Sequence, residues 1–280
     1  MREILTQSLG MVVALFVFVA MFNLGLDLTI RQIVEPLRNR RVFLLSMIAN
    51  VILIPVLAFA FTGAMPLDEA TRIGFLLYVC CAGSEAGPKL VQIAGGNAAF
   101  GVALLGALLP VTVFAVPLAL FLALPDVHIE QGKLLLKLLL VVVLPLAIGL
   151  SIKAIRDAAA ARLSAVVHRI SVLLLGLAFA QVIYVNYEKF AALQSIALFA
   201  GLLFFALAFA VGYLIGGPGK KSRQTLAIMS LMRGGSVSMV IAGQAFPHEP
   251  KVLVMATVMT SLSVVLGVLV TVWLRRSSSA

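Results

Sequence analysis

The chain has 280 residues, 62% of them hydrophobic and only 11% charged, with a mean hydropathy of +1.14. So few charges cannot cover a soluble domain of this size, and repeated apolar runs of about 20 residues specify an all-α polytopic membrane protein; a transmembrane β-barrel would show short alternating segments instead. The net charge of +10 lies in short loops, not on a basic soluble face, which excludes nucleic acid as a partner and leaves membrane lipid and a small molecule.

Nine spans follow in chain order, with ends placed to within about 2–4 residues. The first covers residues 8–26 and carries Asn23, with Asp27 at its end; it is too long for the core of a cleaved signal peptide. The second, 42–63, contains Asn50 and Pro55. The third, 71–94, is interrupted by "CCAGSEAGPKL", which places Ser84, Glu85 and Lys89 among Gly83, Gly87 and Pro88. The fourth is 97–124, with Pro110 and Pro117, and the fifth 134–154, with Pro145. The sixth, 169–187, ends on Gln181, Tyr184 and Asn186; the seventh is 191–215. The eighth, 223–246, is broken at "RGGS", where Arg233, Gly234 and Gly235 precede Ser236 and Ser238; the ninth is 251–274. Prolines inside such spans mark kinks, not ends.

Basic residues alternate between the loops. One side holds Arg31, Arg38, Arg40 and Arg41, then Lys153, Arg156, Arg162 and Arg169, then Lys220, Lys221 and Arg223, then Arg275 and Arg276. The other holds only Arg2, Arg72, Lys133, Lys137, Lys189 and Lys251. The positive-inside rule then places the C-terminus in the cytoplasm and the N-terminus outside the plasma (inner) membrane. Lys89 and Arg233 belong to neither side, because both fall inside spans.

Glycine loosens a helix and proline removes a donor, so the two interruptions free backbone groups that hydrocarbon cannot satisfy. Two broken helices in the two halves of a chain point to a transporter binding site. Close packing of small residues is the blander explanation of one glycine pair. Two breaks that each hold a buried cation favour function, since a charge in the membrane costs at least roughly 2.5–3.5 kcal/mol. Glu85 and Lys89 would face each other one turn apart on an intact helix, although Pro88 opposes that turn. The expectation is that Glu85, Lys89 and Arg233 meet where the two broken spans cross. No nucleophile–base pair or zinc motif appears, so an enzyme and a cofactor are not expected. Cys80 and Cys81 are adjacent and diverge, and His128, His168 and His248 lack metal spacing, so no metal site is expected.

The quoted stretches resemble the bile acid:sodium symporter family over most of the chain. "MFNLGLDLTI" is similar to the end of its first helix, and "NVILIPVLAF", with Asn50 five residues before Pro55, to its second-helix pattern. "CCAGSEAGPKLVQIAGGNAAFGVALL" and "TLAIMSLMRGGSVSMVIAGQAF" resemble its two crossing segments. The resemblance implies an inverted-repeat fold with core and panel domains, in the nine-helix form without the optional first helix. The first repeat would cover residues 8–124 and the second 134–274, within a single transmembrane domain. It also implies a secondary transporter of an organic anion, bile-acid-like or another carboxylate or sulfonate. The runner-up is a related arsenite or auxin-efflux-type carrier, or a proton-coupled or uncoupled exchanger.

The departures lie at the sodium sites. The family's Ser–Asn pair aligns with Gly87 and Pro88, two hydroxyl ligands with Gly101 and Leu105, the shared glutamate with Met229 and the glutamine with Arg233; only Asn50 keeps an amide. A hard monovalent cation requires oxygen ligands, and these replacements supply none. The substitutions therefore predict the fold without sodium coupling, with fixed cations in place of bound ones. Asn50, Ser84, Glu85, Lys89, Arg233, Ser236 and Ser238 are the candidates for contact with substrate or ion.

Overall fold

The computed structural model describes residues 2–29, 40–123, 131–191 and 195–279; Arg31, Arg38 and His128 lie outside them. These residues form α1 (Arg2–Asp27), α2 (Arg40–Ile48) and α3 (Ile54–Gly63), then α4 (Glu69–Cys80), α5 (Gly87–Ile93) and α6 (Ala98–Ala123). There follow α7 (Gln131–Leu138), α8 (Leu144–Ile155), α9 (Asp157–Ala191) and α10 (Ser195–Ile215), and last α11 (Lys220–Leu231), α12 (Gly235–Ala245) and α13 (Pro250–Ser279). No strand occurs among the described residues. Seven helical stretches among the described residues are long and apolar enough to cross a membrane. The expected third and eighth spans are instead pairs of shorter helices, α4 with α5 and α11 with α12.

The first helix shows what surrounds the molecule. Leu9, Val13, Phe16, Val17 and Ala20 recur every three to four residues and are buried, while Met11, Leu15 and Phe18 face outward at 75%, 50% and 38% exposure. A helix apolar on its outer face as well as its inner one belongs in hydrocarbon. It packs on α8 and α9, and so closely that a Cβ on Gly25 would come within 2.9 Å of the Gly149 Cα.

The prolines act more specifically than as kinks. Residues Ala49–Leu53 and Leu139–Val143 are π-helical turns that join α2 to α3 and α7 to α8. Each runs up to a proline, Pro55 or Pro145. In the first, the Ile54 amide bonds to the Ala49 carbonyl, five residues back. The next bond in that series would run from residue 55 to the Asn50 carbonyl, but proline has no N–H. The Asn50 carbonyl is thereby left for another donor.

Around the breaks, α4 packs on α13 and α12, and α11 packs on α10 and α5. At one end of the crossing pair the Asp68 carboxylate caps α4 by accepting from the Thr71 amide at 3.2 Å and the Thr71 hydroxyl at 2.7 Å, with Lys251 at 3.7 Å. Partial burial pushes the Asp68 carboxyl upward, but these hydrogen bonds and the Lys251 charge outweigh it and hold it below the usual range. At the other end the Asn97 amide donates to Thr225 Oγ1 at 2.8 Å, tying the end of α5 to the start of α11.

One expectation changes here. The sixth span, expected at 169–187, is part of α9, which begins at Asp157 because the alanine-rich "DAAAARLSAVVH" continues the helix; His168 therefore lies in a helix and not in a loop. Asn23, Asp27 and Ser164 join α1 to α9 through hydrogen bonds, with Ser164 donating to Asp27 at 2.5 Å, so this polar group fastens two helices together.

Candidate functional site

The site is the place where both broken spans lose their helices. Between α4 and α5 the chain runs non-helically through Cys81–Ala86, and between α11 and α12 through Met232–Gly234. The two segments meet as an antiparallel bridge between Ala82 and Arg233, with the Gly234 amide donating to the Cys81 carbonyl at 2.7 Å. Gly83 has φ +92°, a conformation closed to side-chain-bearing residues without strain. A Cβ on Gly235 would collide with the Thr260 side chain. These glycines let two backbones pass where ordinary helices could not.

Most of the freed carbonyls are taken up inside the protein. Thr112 Oγ1 donates to the Ala82 carbonyl at 2.9 Å, and the Gly87 amide to Ser84 at 3.1 Å. In the second break the Gly235 amide donates to Arg233 at 2.8 Å and the Ser238 amide to Gly234 at 3.0 Å. Ser238 Oγ bonds to the Gly235 carbonyl at 2.8 Å, so this candidate serves its own helix. Thr112 was not among the expected residues; its signal was a hydroxyl in an otherwise apolar span.

Arg233 is 1% exposed. Its Nη1 donates at 2.9 Å to the Asn50 carbonyl, the group left over by Pro55. Nε and Nη2 have no hydrogen-bond partner among the described residues, and neither has Asn50 Oδ1. Asn50 Nδ2 is occupied with the Ser46 carbonyl at 2.9 Å. Arg233 also follows the C-terminal end of α11 and lies, through the bridge, against that of α4. Two helix C-termini therefore supply the negative potential that a buried guanidinium needs.

Glu85 sits elsewhere. Ser236, in the first turn of α12, donates its hydroxyl to Glu85 Oε1 at 2.6 Å. The carboxylate is thus held at a helix N-terminus, where positive potential favours it. Among the described residues no ion pair joins Glu85 to Lys89 or Arg233. The expected meeting of three charges is corrected accordingly: Glu85 is joined to Ser236, Arg233 to Asn50, and Lys89 is exposed. The reason is local, because α5 starts only at Gly87 and the turn that would stack Glu85 on Lys89 does not exist. Ser84 is buried beside Glu85.

Four of the positions that depart from the sodium pattern come together. Met229 is fully buried, and its sulfur lies 2.7 Å from where a Cβ on Gly87 would stand and 3.7 Å from that of Gly101, with the Pro88 Cα 3.6 Å from the latter. Leu105 packs over Gly83. This cluster presents carbon and thioether sulfur and no side-chain oxygen, so it does not fit a sodium ion.

A model of the Sodium Bile acid symporter family matches residues 14–193. The chain belongs to this family. The match covers the first break and stops short of the second, so Arg233 lies outside it. An uncharacterized sodium-dependent transporter of Bacillus subtilis (strain 168), YocS, is 27% identical over 209 residues, 73% of this chain and 63% of the relative. The aligned part thus spans less than two thirds of that relative. Family membership and seven apolar helices among the described residues together make the chain an integral membrane protein of the bile acid:sodium symporter family.

Proposed function

We propose that this family member is a secondary carrier that moves a small organic anion, a carboxylate or sulfonate, by alternating access about the crossing. The reading takes the two broken spans as full crossings, nine in all, within two inverted repeats of residues 8–124 and 134–274. The N-terminus is outside the plasma (inner) membrane and the C-terminus cytoplasmic. Helices α1, α7, α8 and α9 act as the panel and the remainder as the core, and their relative movement exposes the crossing to each side in turn.

The observation that carries the anion assignment is Arg233. A guanidinium sealed at the crossing, with two donors uncommitted, sets a positive potential that an anionic head group can use without carrying its own counter-ion. Buried Ser84 and Ser236, half-buried Glu85 and exposed Lys89 lie at or beside the same breaks and are the candidates for orienting the substrate. A second reading, sodium-driven symport, is favoured by the description of the Bacillus subtilis relative as sodium-dependent.

The test is counterflow. Purified protein in liposomes loaded with one unlabelled carboxylate or sulfonate from a panel should concentrate the labelled form transiently and saturably. Uptake that never saturates would indicate a channel, and movement of cations alone would overturn the anion assignment.

A further inference from the structure

Unwound carbonyls at the middle of a broken helix are cation sites in search of a cation. Here most of that need is met without one. The carbonyls of Cys81, Ala82, Ser84, Ala86, Arg233, Gly234 and Gly235 each accept a hydrogen bond from within the protein, and among the described residues those of Gly83, Glu85 and Met232 are left over. The Asn50 carbonyl, freed by the π turn before Pro55, accepts from the guanidinium of Arg233 at 2.9 Å. The space between α5, α6 and α11 is filled by the thioether of Met229, which lies between Gly87 and Gly101.

We infer that Arg233 is a built-in cation, doing permanently what a bound cation would do at this crossing, and that the protein binds no sodium there. The inference rests on the crossing being the transport site but concerns only which cation neutralises it. Three features agree on it. The residue follows the end of α11 and is bridged to the segment that follows the end of α4. It is 1% exposed, so it is part of the folded core and not a surface charge. Among the described residues no carboxylate is paired with it, and Glu85 is engaged by Ser236 at 2.6 Å. Its charge is therefore left to act on the helix ends and on whatever enters the crossing.

Sodium itself is the probe. Purified protein in detergent is melted in sodium chloride and in choline chloride at equal ionic strength, because an ion that binds only the native state raises the melting temperature with its concentration. The melting temperature of the wild-type protein should not change between the two salts. A saturable, sodium-specific rise overturns the inference. Arg233→Gln should melt several degrees lower and should now be raised by small cations, because the freed Asn50 carbonyl and the helix ends regain their need for one. If Arg233→Gln melts like wild type and ignores sodium, the charge is not required and the inference fails. If Arg233→Gln does not fold, Arg233→Lys decides. Lysine keeps the charge and should fold and remain indifferent to sodium, whereas its failure to fold would show that the guanidinium fork, and not its charge, is what the site uses. The carrier reading fails separately: sodium indifference with no anion counterflow removes that reading and leaves this one, and sodium-dependent anion uptake does the reverse.

Discussion

The first break spreads over six residues, Cys81–Ala86, and leaves Glu85 half-buried with Ala86 and Lys89 exposed; the second is three residues long and lies within a stretch, 224–242, in which every residue is buried. Both contain glycine and one charge beside it, yet the open break holds its charge with a single hydroxyl, and the sealed break holds its charge with a backbone carbonyl and two helix ends. A charge that keeps some access to water needs little from the protein. One that is sealed must be satisfied by the fold itself, so it becomes part of the fold. The carboxylate is therefore the exchangeable member of the pair and the guanidinium the fixed one.

The comparison breaks first if the two charges prove equally dispensable. Arg233→Gln should destabilise by on the order of 3 kcal/mol, from a lost charged hydrogen bond, two uncapped helix ends and a partial cavity. Glu85→Gln should cost under about 1 kcal/mol, because an amide oxygen still accepts from Ser236. Thermal unfolding of both variants in one detergent gives the order; the reverse order would contradict the account. Gly83→Ala comes next, at about 1–3 kcal/mol, because φ +92° is denied to alanine.

Double-mutant cycles sharpen the same contrast. Glu85 and Ser236 should show a coupling of about 0.5–1.5 kcal/mol, and Glu85 and Arg233 a smaller one. A larger coupling in the second cycle would restore the ion pair that the structure does not show. Gly87→Ala should cost about 1 kcal/mol through its approach to the Met229 sulfur, and adding Met229→Ala should cost less than the sum of the two single changes.

Much of this was legible in the sequence. Glycine and proline inside apolar runs located both breaks, and "RGGS" marked the second to within two residues. The contacts that give the breaks their chemistry were not legible, since they join residues far apart in the chain. Arg233 meets the carbonyl of Asn50 across 183 positions, and no spacing rule indicates it. Asn50 was singled out for its side-chain amide, but that amide bonds to the Ser46 carbonyl while the backbone carbonyl accepts from Arg233. Pro55 signalled a kink, but the carbonyl it frees becomes visible only once the turn is seen to be π-helical. Glu85 and Lys89 were expected to pair because four-residue spacing was applied across a stretch that is not a helix.

A further small effect lies outside the crossing and serves as a control. Asp68→Ala should cost about 1 kcal/mol by uncapping α4. The Asp68 carboxyl is held below its usual range in the folded state, so its contribution is present above its unfolded value, near pH 4, and is lost as pH falls through the folded value. Melting curves of wild type and Asp68→Ala should therefore converge in that acidic window while the Arg233→Gln difference persists.

The most direct test of the central claim is uptake of a transported organic anion into proteoliposomes, with sodium on both faces replaced stepwise by choline. The account predicts a rate that stays the same from full sodium to none. A steep, saturable dependence on sodium would contradict it and would mean that the cation at the crossing is free and not Arg233.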